Sequence, residues 1–76
     1  MGTAVQARQV FSPERLRAAR FAAGRSLPEV GRAAGRHAET ITDYEYGRIA
    51  PQADALAAIA NFLGVDITEF FPLEDE

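Results

Sequence analysis

The chain has 76 residues, 47% of them hydrophobic, with 25% charged residues and a formal net charge of −3. That suffices for one domain with a small core, and the lack of any cysteine excludes disulfides, thiolate zinc sites and cysteine nucleophiles. No apolar run approaches the roughly 20 residues that span a bilayer and no basic-then-apolar export signal opens the chain, so no membrane partner and a cytoplasmic location are expected.

Residues 1–11 show no periodicity and are expected to form a flexible arm. The first helix starts at Ser12-Pro13-Glu14: serine as cap, proline in the first turn and an acid at the positive end of the dipole. Phe11 is placed to staple onto Leu16, and Leu16, Ala19, Arg20 and Ala23 share one face up to Gly24. A second helix is predicted over about 27–34 and a third over about 38–46, with His37 at the cap position of the third. After Pro51 a fourth helix spans about 53–63, where Leu56, Ile59, Ala60 and Leu63 recur with helical period. Asp66 to Glu69 repeats the capping spacing and opens a short fifth helix with Phe70 and Phe71, ended by Pro72 and Leu73. Residues 74–76 are an acidic tail. Five helices with short loops and no strand pattern predict an all-α bundle over residues 12–73.

The segment Ser26 to Gly47, SLPEVGRAAGRHAETITDYEYG, carries the strongest functional signal. Ser26 and Glu29 have the spacing of a capping box. Gly35 and Gly47 stand where the second and third helices must stop, and Gly31 leaves room for a close crossing. Val30, Ala34, Ile41 and Tyr44 can face one side. Two helices set steeply about a glycine turn form a helix-turn-helix, whose commonest task is to lay its second helix in the DNA major groove. Charge is divided accordingly. Residues 1–48 hold all eight arginines against five acids, a balance of +3, whereas residues 49–76 hold six acids and no base, a balance of −6. Binding depends on this local field more than on the total. The use of arginine alone, with no lysine, reads as the bias of a GC-rich genome.

The run RLRAAR, SLPEVGRAAG, ITDYEYGRIAP, LAAIANFLGV and FF resembles the phage Cro and repressor-type helix-turn-helix domain, the XRE family of bacterial regulators, over residues 12–71. The opening Phe-Ser-Pro-Glu-Arg-Leu and the closing Glu-Phe-Phe are similar to its actinobacterial branch. The resemblance implies a compact five-helix bundle of the phage-repressor (lambda repressor-like) type and a buried pair between Arg20 and Glu45. Position agrees, since Arg20 lies at the inner end of the first helix and Glu45 just before the glycine that ends the third. In one reading the pair only locks the two helices; in another Arg20 also shows an N–H edge to a phosphate. The resemblance further implies base contacts from Ala38, Glu39, Thr42 and Asp43. One departure is Leu27, where many relatives carry a phosphate-binding glutamine.

Arg36 in the turn, His37 at the cap and Arg48 beyond the third helix are positioned to flank one groove as phosphate contacts. Glu39 and Asp43 can accept from cytosine N4, or can simply serve the helix dipole and solvent. Phe62, Ile67, Phe71 and Leu73 make an apolar patch for a twofold dimer or another protein, unless they only complete the core. With one histidine and no nucleophile–base spacing, neither a metal site, a cofactor nor an enzyme is expected. The sequence thus reads as a sequence-specific DNA-binding regulator acting as a homodimer on a double-stranded operator. The competing reading is an antitoxin-like or adaptor module with weakened DNA binding.

Overall fold

The structure, a computed structural model, describes residues 8–74. In chain order it comprises strand β1 (Arg8–Gln9), helices α1 (Pro13–Ala23), α2 (Leu27–Ala34), α3 (Ala38–Glu45) and α4 (Ala53–Leu63), a 3₁₀ turn (Ile67–Phe70) and strand β2 (Leu73–Glu74). Most of the predicted arm, residues 1–7, and of the acidic tail, residues 75–76, lies outside the described residues.

Helices α1 and α2 begin and end where local chemistry demands. The Ser12 hydroxyl accepts from the Arg15 amide, and Pro13 occupies the first turn of α1. At α2 the capping box is complete: the Ser26 hydroxyl accepts from the Glu29 amide at 3.2 Å, and the Glu29 carboxylate accepts from the Ser26 amide at 2.9 Å. That backbone hydrogen bond holds the Glu29 carboxyl below its usual range, opposed by desolvation and aided by the Ser26 hydroxyl, Arg25 and Arg32. Asp66 is lowered in the same way, chiefly by the Thr68 amide and then by its hydroxyl.

The core gathers one stripe from each helix: Leu16 from α1, Val30 and Ala34 from α2, Ile41 and Tyr44 from α3, and Leu56, Ile59, Ala60 and Leu63 from α4, closed by Phe70. Phe70, Leu16, Ile41, Ile59 and Val30 are fully buried, and each side chain of this size contributes about 1.5–3 kcal/mol by leaving water. Leu27, Ile67, Phe71 and Phe11 pack against this cluster while partly exposed. Phe11 also meets Phe71 edge-on, with ring centroids 6.1 Å apart.

Three expectations need correction. Among the described residues there are four α-helices, and the expected fifth, residues 67–70, is a single 3₁₀ turn, because a segment between Gly64 and Pro72 is too short to nucleate an α-helix of its own. Residues 8–9, assigned to the arm, pair antiparallel with 73–74, in register Arg8 with Glu74 and Gln9 with Leu73. Two residues carry no readable period, so only the meeting of the chain ends reveals this pairing. Ala23 is exposed rather than on the buried face, since α1 ends beside it.

Candidate nucleic-acid interface

The pair α2–α3 is built around two glycines. A Cβ on Gly31 would lie 2.7 Å from the Arg36 carbonyl oxygen, so the turn sits directly on α2 at a point where only glycine fits. Gly35 takes φ +69°, the left-handed conformation that reverses the chain. The Arg36 amide then donates back to the Gly31 carbonyl at 2.8 Å. These bonds fix the start of α3 relative to α2 without help from the His37 side chain, which caps α3 in position but forms no capping hydrogen bond.

α3 is buried along Ile41, Tyr44 and Glu45. Its other face carries exposed Glu39 and half-buried Ala38, Thr42 and Asp43. The Thr42 hydroxyl donates to the Ala38 carbonyl at 3.3 Å. Asp43 accepts from Arg48 Nη1 at 3.0 Å, and the Arg48 guanidinium lies 5.0 Å from the Tyr46 ring centroid. The four residues expected at base edges thus share one helix face, with Arg48 folded back against one of them.

The structure places Arg20, Arg36 and Arg48 in defined partnerships. Arg20 Nε and Nη2 donate to the two Glu45 carboxylate oxygens at 2.6 and 3.1 Å, and Nη1 donates to the Arg25 carbonyl at 3.1 Å. Three of its five N–H groups are thereby bonded inside the protein, and its side chain is 10% exposed against 4% for Glu45. Little of Arg20 remains for a phosphate. Arg36 Nη1 donates to the Ala34 carbonyl at 3.0 Å, while Nη2 donates to Gln52 Oε1 at 3.3 Å and lies 3.6 Å from Asp54 Oδ1. Arg36 therefore ties the turn to the start of α4. His37 is exposed, and Arg32 is exposed without an ion pair among the described residues.

The residues expected to form an apolar patch, Phe62, Ile67, Phe71 and Leu73, differ in what they touch. Ile67 and Phe71 pack on the core, the Leu73 backbone lies in β2, and Phe62 is capped by the Arg25 guanidinium 5.0 Å from its ring. The larger exposed rings lie elsewhere. Phe21 and Tyr46, 60% and 61% exposed, border a cleft of about 400 Å³ with Glu14, Arg17, Ala18 and Glu45. Arg17 reaches both rings, 5.5 Å from Phe21 and 6.0 Å from Tyr46. Sequence reading passed over Phe21, although its place off the Leu16–Ala19–Arg20 face was the available signal. Among the described residues no cluster of three His, Asp or Glu side chains could hold a metal ion, and no helix is long and apolar enough to cross a membrane.

A family profile described as "Helix-turn-helix domain" matches residues 14–70, which takes in α1 through the 3₁₀ turn. The chain belongs to the helix-turn-helix domain family. Solved structures show the same fold. The clp gene regulator ClgR from Corynebacterium glutamicum superposes with a TM-score of 0.72 at 24% identity, covering 76% of this chain and 62% of that one. The restriction-modification controller protein C.AhdI from Aeromonas hydrophila gives 0.72 at 24% identity, covering 78% and 89%. The P22 c2 repressor, in complex with a synthetic operator, gives 0.69 at 22% identity, covering 76% and 88%. This helix-turn-helix chain thus spans less than two thirds of the ClgR chain. No curated protein matches it in sequence.

Proposed function

We propose that this chain is a DNA-binding transcriptional regulator that lays α3 in the major groove. The observation that carries it is the α2–α3 pair itself. Gly31 and Gly35 set the crossing, and α3 buries Ile41 and Tyr44 while turning Ala38, Glu39, Thr42 and Asp43 outward. Family membership and the operator-bound repressor among the similar structures support the reading. In it, Thr42 meets a thymine methyl or a hydrogen-bonding base edge, and Glu39 and Asp43 accept from exocyclic amino groups. Arg48, His37 and Arg36 contact the backbone, with Arg20 contributing at most an edge. Residues 12–73 are the binding unit, and two copies meet a palindromic operator with their α3 helices about one DNA turn apart. The chain carries no catalytic role in this reading, and its place of action is the cytoplasm.

Fluorescence anisotropy with labelled duplexes from the flanking genomic DNA tests this. Binding to a short palindrome should weaken steeply as salt rises, because backbone contacts release counterions. If folded protein retains no duplex even at low salt, the proposed function is lost.

A further inference from the structure

Resting on the DNA-binding reading above, we infer that Asp43 is an internal stand-in for a DNA phosphate: it occupies Arg48 in the free protein and so restrains binding to duplexes that offer Asp43 no partner. Three contacts hold Arg48 back on the reading helix. Its amide donates to the Asp43 carbonyl at 2.9 Å, its Nη1 donates to the Asp43 carboxylate at 3.0 Å, and its guanidinium lies over Tyr46. A carboxylate and a phosphate offer an arginine the same kind of acceptor, a pair of anionic oxygens. A phosphate that draws Arg48 Nη1 away from Asp43 leaves that carboxylate unpaired beside the negative backbone.

The exposure of the pair makes such an exchange feasible. The Arg48 and Asp43 side chains are 60% and 39% exposed, so water and ions reach both, and pairs of this kind are weak enough to open. A duplex that offers a base amino group to Asp43 recovers the lost partner, because cytosine N4 and adenine N6 donate into the major groove. One that does not recovers nothing. The exchange thus turns a backbone contact into a device that favours some sequences by penalising the rest.

A double-mutant cycle read on a mixed-sequence duplex at fixed low salt tests the inference. Asp43→Asn should tighten binding about fivefold in the presence of Arg48. The same change made on an Arg48→Ala background should gain clearly less, since no arginine is left to release. An equal or larger gain on that background would show that Arg48 merely shields a repulsive carboxylate, and the inference would be overturned. No gain from Asp43→Asn in either background overturns it as well, while leaving DNA binding standing. If neither the native chain nor Asp43→Asn binds any duplex although both are folded, the DNA-binding reading falls and the inference with it.

Discussion

Arg20–Glu45 and Arg48–Asp43 are the same chemical pair, and both anchor to the C-terminal half of α3. Arg20 reaches Glu45 from α1, is bidentate, and lies with its partner almost out of solvent. Arg48 reaches Asp43 from five residues along the chain through a single nitrogen, largely in water. Burial decides what each pair does. An arginine whose carboxylate is shut away from water cannot trade it for another anion, and losing either partner strands a buried charge. An exposed pair gains little from being closed, so its opening is cheap and a competing anion can enter. The first pair locks α1 to α3, and the second stays open to water and ions.

The sharpest way to break that contrast is Arg20→Ala. It should cost about 3–5 kcal/mol, a large part of the stability of a domain this small, and should lower the melting temperature by well over 10 °C. An unchanged thermal transition would mean that the buried pair does not lock α1 to α3. Gly31→Ala comes next. Its Cβ would meet the Arg36 carbonyl, a backbone atom that cannot swing aside. Overpacking of this kind costs about 1–3 kcal/mol, and differential scanning calorimetry should show it although alanine is the better helix former. A stabilised Gly31→Ala variant would show that the turn yields freely.

A smaller effect separates capping from ion pairing. Ser26→Ala should cost about 1 kcal/mol in chemical denaturation. Glu29 and Asp66 are held below their usual range in the folded state, so they stabilise the fold above about pH 4. That contribution should fade as the pH falls through their lowered values. Glu29→Gln should remove the Glu29 part of this acid dependence; the same slope in both proteins would detach Glu29 from the cap. Least of all, Asp43→Asn should shift stability by no more than about 1 kcal/mol, which keeps its effect on DNA affinity separable from folding.

Much of the architecture was readable from local signals. Ser12 with Pro13, Ser26 with Glu29, and Gly24, Gly35 and Gly64 mark helix ends by backbone chemistry that acts within a few residues. The period of Leu56, Ile59, Ala60 and Leu63 marks a buried face for the same reason. The outward residues of α3 came from the family resemblance, with Ile41 and Tyr44 assigned to the inner side. What spacing did not disclose was the engagement of the basic residues. Arg36 looked available in the turn, yet Gln52 and Asp54, about sixteen residues away, meet it across the start of α4. Nor did spacing disclose that Arg25 lies over the Phe62 ring or that Phe11 meets Phe71 edge-on.

The sequence by itself determined the four helices, their caps, the glycine turn and the core stripe, because each depends on the order of neighbouring residues and on 3.6-residue periodicity. Tertiary structure alone decided that the chain ends pair as β1 and β2, that residues 67–70 stop at a 3₁₀ turn, and that Arg36 is tied to the start of α4 while Arg48 stays in water. The physical reason is common to all three. Each depends on which distant surface a segment meets and how much water that surface removes, and neither quantity is encoded in the spacing of residues along one strand of chain.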